Sequence, residues 1–150
     1  MDPAYLLARW EGVRTGLRAT IARFGDDDLS YTPYLGAWTV QRLLLHIAQE
    51  EHGEYGYGIA RTLPEFPPDY APEEYPTLAA ITALLDQAHA ETTQYLRALS
   101  AEDLERTIVT PWGARSRLIE LFDHIIEHEI HHRGELSLIL GMLGREGLDA

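Results

Sequence analysis

The sequence of 150 residues predicts an all-α protein, folded as one four-helix bundle. Three observations lead to this class. Four stretches carry apolar residues at steps of three and four, a proline-rich segment separates the second stretch from the third, and no internal repeat is present. Hydrophobic residues make up 45% of the chain, which is ordinary for a globular protein. We therefore expect residues 1–150 to form a single domain.

The first helix is predicted from about Asp2 to Phe24. Asp2 suits an N-cap and Pro3 suits the first helical turn, whereas Gly25 and the aspartates after it favour a stop. The apolar residues of this stretch share one helical face: Leu6, Trp10, Val13, Leu17, Ile21 and Phe24.

The second helix is predicted to begin after Thr39, which suits an N-cap. Its apolar residues are Val40, Leu43, Leu44 and Ile47. The stretch EEHGEYGYG that ends it is predicted to loosen, because each glycine lowers helix propensity by up to about 1 kcal/mol relative to alanine.

A proline-rich crossover follows at residues 62–76, TLPEFPPDYAPEEYP. Proline disfavours a helix there, and fifteen extended residues can span about 50 Å, so the third helix is allowed to run parallel to the second. That third helix begins at Thr77. A capping-box-like SAED sequence at Ser100 predicts a short further helix, and TIVTPWGARSR reads as a strand or loop.

The last helix, predicted from Ser116 to the GMLGREG stretch, carries two histidines within its apolar face. His128 and His132 occupy core steps of the pattern, and the apolar residues on either side are Leu118, Leu121, Ile125, Leu136, Ile139 and Leu143. Imidazoles one turn apart project in the same direction about 6 Å apart. Helical metal sites use this spacing, so the pair is predicted to bind one metal ion.

A third ligand is predicted on the second helix. His46 flanks its apolar face, and Glu50 follows one turn later. Three neutral imidazoles without a thiolate suit Zn²⁺ or Ni²⁺ and leave positions open for water or substrate. His124 lies one turn before His128, where it is predicted to be a hydrogen-bonding partner of the ligands or a proton relay.

The same histidines also fit a hydrogen-bonded network in the core, with no metal. His52 and His89 have no spacing that assigns them to a site. The acidic residues of the last helix are predicted to lie on its solvated flank: Glu120, Glu127 and Glu129.

The composition narrows the classes of function. The net charge of −12 disfavours nucleic acid as a partner. Cysteine is absent from the sequence, so any metal site must use histidines and carboxylates. Neither a signal peptide nor a membrane-spanning apolar run is apparent, which predicts a soluble, cytoplasmic protein.

The stretches WTVQRLLLHIAQEE (38–51) and LFDHIIEHEIHHRGEL (121–136) resemble the DinB/YfiT-like family of metal-dependent four-helix bundles. The resemblance extends over essentially the whole chain. It implies an up-down-down-up bundle, the ligands His46, His128 and His132, bound nickel or zinc, and a homodimer.

Relatives in this family include transferases and isomerases that use low-molecular-weight thiols such as bacillithiol or mycothiol. The resemblance therefore implies a metal-dependent thiol S-transferase with an electrophilic second substrate. Glu50 or His124 is the candidate general base, although no motif of the family fixes either residue. The mycothiol-dependent isomerases carry an additional domain not expected in these 150 residues. Two alternatives remain open, a hydrolase that uses metal-bound water and a non-enzymatic metal-binding or structural bundle.

Overall fold

The computed structural model describes residues 2–147 and is mostly helical. Its helices are α1 (Pro3–Ile21), α2 (Val40–Gly53), α3 (Leu78–Arg97), α4 (Ala101–Glu105) and α5 (Leu118–Met142). The predicted N-caps are present, because the side chains of Asp2, Thr39, Thr77 and Ser100 each accept a hydrogen bond from a backbone N–H in the first turn that follows. The four long helices form the predicted bundle.

Two predicted helix ends differ from the structure. Helix α1 ends at Ile21, although Phe24 beyond it is still buried. Helix α5 begins at Leu118 rather than at Ser116, because Ser116 belongs to strand β2 (Arg115–Arg117). This strand pairs antiparallel with β1 (Thr107–Val109). The stretch predicted as strand or loop is therefore a short hairpin.

The direction of each helix follows from which residues meet. Helices α2 and α3 run parallel. Gln41 in the first turn of α2 donates to the carbonyl of Tyr75 just before α3, and Glu51 near the end of α2 meets His89 further along α3. Helices α1 and α5 are also parallel, and α2 is antiparallel to α5, as these pairs indicate: Arg9 with Asp123, Arg133 with Val13, His46 with His128, and Glu54 with His124. The topology is up-down-down-up, as the resemblance implied.

The glycine-rich end of α2 continues into a π-helical turn, Glu54–Ile59, rather than fraying. Its glycines allow large side chains to approach the backbone closely. A Cβ atom at Gly53 would lie 2.3 Å from the Phe66 ring, and one at Gly58 would lie 2.7 Å from the Trp112 ring. These glycines therefore permit packing in addition to lowering helix propensity.

The apolar core consists of two clusters, one toward each end of the bundle. On each long helix a buried polar residue lies in sequence between the residues of the two clusters: Arg14, Glu51, His89 and Glu129. None of the helices within residues 2–147 combines the length and the apolar character needed to cross a membrane.

Candidate metal centre

The three predicted metal ligands come together between α2 and α5. The Nε2 atom of His128 lies 3.0 Å from Nε2 of His46 and 3.0 Å from Nε2 of His132. His132 is buried, and His46 and His128 are half-buried. The three rings meet because His128 and His132 lie one turn apart on the same face of α5, and this face packs against the face of the antiparallel helix α2 that carries His46.

The hydrogen bonding of the cluster fits a bound cation. Nδ1 of His132 lies 2.6 Å from the Glu135 carboxylate, so this nitrogen donates the hydrogen and Nε2 keeps its lone pair. If His128 carries its hydrogen on Nε2, it can donate that hydrogen to only one of the two neighbouring nitrogens, Nε2 of His46 or Nε2 of His132. Three nitrogen ligands around Zn²⁺ at about 2.0–2.1 Å would lie about 3.3 Å apart in a tetrahedral arrangement. The observed 3.0 Å separations are close to that spacing.

The electrostatic surroundings of His128 and His132 keep these two imidazoles neutral. Burial, aided by the neighbouring His132 and His46, lowers the pKa of His128 to about 3. Burial also lowers the pKa of His132, although the hydrogen bond to Glu135 opposes the shift. A neutral imidazole offers the lone pair that a metal ligand needs.

Glu50 and His124, the predicted proton-transfer residues, differ in their distance from the cluster. Glu50 Oε1 lies 3.9 Å from Nδ1 of His46, too far for a hydrogen bond. His124 is 59% exposed and contacts Glu54 at 4.0 Å instead of a metal ligand. The structure thus leaves His124 one turn away from the three rings.

Glu54 is a carboxylate at this site that the sequence interpretation missed. Burial raises the pKa of the Glu54 carboxyl. The nearby His124 opposes this upward shift, whereas the Glu50 carboxylate adds to it. Its Oε2 atom is buried without a hydrogen-bond partner among the described residues. The signal was present in the sequence, because His46, Glu50 and Glu54 are spaced by four along one helix face.

Two cavities open beside the histidine cluster, and Trp38 lines both of them. An apolar cavity of about 490 Å³ is lined by Tyr34, Trp38, Leu138 and Met142, with His132 in its wall. A polar cavity of about 430 Å³ is lined by Trp38, Arg42, His46, Glu50, Asp69 and Tyr70. Both volumes lie in the range of small-molecule sites. Trp38 belongs to both walls, and its ring lies 4.8 Å from the His46 ring.

Tyr55 and Trp112, two aromatic residues near helix ends, are not part of the lining of either cavity. Tyr55 packs against Tyr95, and Trp112 packs beside Tyr57 and against Gly58. They contribute to packing where the π-helical turn meets α3 and the hairpin.

One prediction about the last helix is wrong. Glu129 is only 2% exposed and lies in the core, where Oε2 accepts hydrogen bonds from Arg14 at 2.8 Å and from Trp10 Nε1 at 3.1 Å. Arg14 also binds Glu51, which contacts His89 Nδ1 at 3.1 Å. Each of these four buried polar residues follows an apolar residue of its own helix by four positions, which is the signal that would have indicated an inward position: Trp10, Ile47, Leu85 and Ile125.

This buried ionic cluster fixes the rotation of the helices that carry the histidines. Glu129 follows His128 directly in sequence and faces the bundle interior near α1, whereas His128 faces α2. Breaking such a pair leaves an uncompensated buried charge, so the paired arrangement favours one rotation of α5 over others.

An up-down-down-up bundle with a histidine cluster between its second and last long helices defines a class of helical protein with a candidate metal centre. The chain belongs to the DinB superfamily, whose family model matches residues 9–136. The resemblance predicted from the two histidine-bearing stretches is therefore confirmed. None of the curated proteins is significantly similar to the chain in sequence.

Solved structures show the same fold. A DinB-like protein from Bacillus cereus has a TM-score of 0.75 at 18% identity, with 97% of this chain and 95% of that chain covered. YfiT from Bacillus subtilis, a probable metal-dependent hydrolase with an unusual four-helix bundle topology, has a TM-score of 0.63 at 22% identity, covering 93% and 87%. The mycothiol-dependent maleylpyruvate isomerase has a TM-score of 0.64 at 15% identity, covering 88% of this chain but 60% of that chain.

Proposed function

We propose that the protein is a metal-dependent transferase that joins a low-molecular-weight thiol to a small electrophile. The divalent ion, Zn²⁺ or Ni²⁺, would be held by His46, His128 and His132. The observation that carries this proposal is that two of the three rings face different cavities, His132 an apolar one and His46 a polar one. Two chemically different cavities suit two substrates that react with each other. Structural likeness to a mycothiol-dependent enzyme supports a thiol as one of them.

A divalent ion bound by the three imidazoles supplies Lewis acidity, which lowers the pKa of a thiol. Glu50 lines the polar cavity and accepts the thiol proton. The sulfur forms a C–S bond to the electrophilic carbon, and the leaving group departs with the electron pair of the broken bond. Trp38, shared by both cavities, orients the two substrates. His124 and Glu54 pass the proton from this region toward solvent.

Hydrolysis is the second candidate function, because YfiT is similar in structure and is a probable metal-dependent hydrolase. The same three histidines would serve that reaction, with water in place of the thiol. A hydrolase needs only one organic substrate, so the second cavity would have no catalytic role. A third candidate is a bundle that binds metal without catalysing a reaction.

The test is an assay of protein loaded with Zn²⁺ or Ni²⁺, supplied with monochlorobimane and cysteine together or separately, and with an activated ester alone. A transferase consumes thiol and electrophile in equal amounts and is inactive without the thiol. The variant His128→Ala should lose the activity, whereas the exposed Glu102→Ala should keep it. Ester turnover without thiol would instead support the hydrolase. Stable metal binding without turnover of either kind would support the non-enzymatic bundle.

We also propose a homodimer, which the DinB resemblance favours. Several large apolar side chains are exposed beside the apolar cavity: Tyr34, Leu35, Leu138 and Met142. Covering such side chains in an interface lowers the free energy of the assembly. Light scattering at micromolar concentration should give twice the mass of the chain, and a monomer mass would contradict the proposal.

A further inference from the structure

The polar cavity contains both signs of charge beside the candidate metal centre. His46, Arg42, Glu50 and Asp69 line it, together with Gln49, Tyr70 and the apolar residues Trp38, Leu45 and Pro72. Charged groups of both signs are therefore present in this cavity, whereas the other cavity that Trp38 lines is mostly apolar. The two cavities therefore select ligands of different chemistry.

The guanidinium of Arg42 is held in place without being neutralised. Its Cζ atom lies 4.6 Å from the centre of the Trp38 ring, in a cation–π contact. Its Nη2 atom lies 3.5 Å from Asp69 Oδ2, and both side chains are more than half exposed, so this ion pair is weak. Within residues 2–147 the guanidinium forms no hydrogen bond, and its planar donors remain available for a carboxylate.

The carboxylates of the polar cavity favour a second charge on the same ligand. Glu50 and Asp69 repel a ligand that carries only a carboxylate, but they attract an ammonium group. With a divalent ion on the histidines, the ion and Arg42 together exceed the two carboxylates by one positive charge. A thiolate that also bears one ammonium and one carboxylate carries one negative charge and balances this excess.

We infer that the polar cavity binds the thiol cosubstrate as a zwitterionic aminothiol, with its carboxylate on Arg42 and its ammonium group toward Asp69 and Glu50. This inference rests on the proposed transferase function and specifies the thiol for the same site. The volume of about 430 Å³ exceeds that of a cysteine unit, so the cavity also accepts a substituent attached to it. The apolar cavity then receives the electrophile.

The experiment measures thiol binding and not turnover. Protein loaded with Co²⁺ is titrated with four thiols, and the near-ultraviolet charge-transfer absorption of a bound thiolate is recorded. Cysteine carries both charged groups, cysteamine only the ammonium group, 3-mercaptopropionate only the carboxylate, and 2-mercaptoethanol neither. Metal content is measured after each titration, to exclude removal of the ion by a chelating thiol. Cysteine should bind most tightly.

Two variants and a matched control assign the charged contacts. Arg42→Gln should reduce the advantage of cysteine over cysteamine by on the order of tenfold, the typical effect of losing a charge-assisted hydrogen bond. Asp69→Asn should reduce the advantage of cysteine over 3-mercaptopropionate by a few-fold, because Asp69 is well exposed. Arg18→Gln makes the same charge change at the interface of α1 and α3, where Arg18 pairs with Asp86, and should change neither ratio.

The outcomes separate the two proposals. One outcome is that all four thiols give the absorption band while cysteine binds no more tightly than the others, or while its advantage persists in Arg42→Gln. In either case the cavity assignment is wrong and the transferase proposal stands. If no thiol gives the band on metal-loaded wild-type protein, the transferase proposal fails, and the cavity assignment fails with it.

Discussion

Individual side chains at the site differ in how they are supported. His132 is oriented by Glu135 through a hydrogen bond of 2.6 Å, whereas His46 has only the distant Glu50 carboxylate beside its Nδ1 atom. Since the partner of Nδ1 determines which tautomer presents Nε2 to the cluster, Glu135 prepares His132 as a ligand. Glu135 lies on the same helix as His132, three residues later, so α5 itself supplies this support.

Replacing Glu135 with alanine should therefore weaken metal binding by about 10- to 100-fold, the range found when such supporting partners are lost. Competition with a chromophoric chelator measures the dissociation constant of Zn²⁺ for each protein. Glu102→Ala, the same change on the exposed side of α4, is the control and should match wild type. Equal affinity in Glu135→Ala and wild type would mean that Glu135 does not support the ligand.

Glu54 gives a pH dependence whose sign follows from its raised pKa. The folded state holds the Glu54 proton more tightly than the unfolded chain does, so the free energy of unfolding falls as pH rises through the folded-state pKa. Glu54→Gln has no such proton to lose. The variant should gain stability relative to wild type between a pH near the ordinary glutamate pKa of about 4.3 and a pH well above it. Urea unfolding at both pH values measures this, and a constant difference between the two proteins would show that Glu54 does not titrate there.

At the level of the helices, the last turns of α2 hold the proline-rich crossover in place. Gln49 donates a hydrogen bond to the Pro67 carbonyl at 2.8 Å, and the Tyr70 hydroxyl lies 2.8 Å from Nδ1 of His52. Phe66 packs where Gly53 has no side chain. These contacts hold residues 62–76 along α2, so Asp69 and Tyr70 can line the polar cavity.

Gly53→Ala and Gly12→Ala should have opposite effects on stability. A methyl group at Gly53 would collide with the Phe66 ring, and we expect a loss of about 1–3 kcal/mol from this overpacking. Gly12 lies within α1 with no atom near the position of a Cβ, so alanine should stabilise the protein by about 0.5–1 kcal/mol through helix propensity. Chemical denaturation of the three proteins compares them. A stabilising Gly53→Ala would show that the Phe66 contact is not needed.

At the scale of the whole molecule, the candidate metal centre links two long helices that are remote in sequence. The unfolded chain cannot bring His46 to the 128–132 pair, so metal binding favours the folded state. The centre and the buried ionic cluster both act between α2 and α5, one on the cavity side and the other in the core.

Removal of metal should therefore lower the melting temperature. A free metal concentration about 100-fold above the dissociation constant adds roughly 2.7 kcal/mol, which corresponds to a shift of roughly 5–10 °C for a protein of this size. His132→Ala should lose most of the difference between samples with and without chelator. Thermal melts of both proteins, with metal content measured in parallel, provide the comparison. Wild-type protein that stays metal-free when Zn²⁺ and Ni²⁺ are supplied would leave the histidines as a hydrogen-bonded core network.

Local periodicity was sufficient to predict the four long helices, the N-caps of the first three and the pairing of His128 with His132 on one face of α5. Each of these depends on residues three or four positions apart, or on a cap next to its helix, so the sequence carries the information directly. Helix directions required the resemblance as well, because a crossover long enough to span the bundle permits a parallel arrangement without requiring it.

Only the tertiary structure decided which polar residues are buried and which line a cavity. Glu129 and Glu127 belong to the same helix and have the same chemistry, yet Glu129 is buried because Arg14 of α1 lies opposite it, and Glu127 is exposed. The polar cavity likewise needs Asp69 from the crossover next to Arg42 from α2. Burial of a charge depends on the partner that another element supplies, and the periodicity of one helix contains no information about that partner.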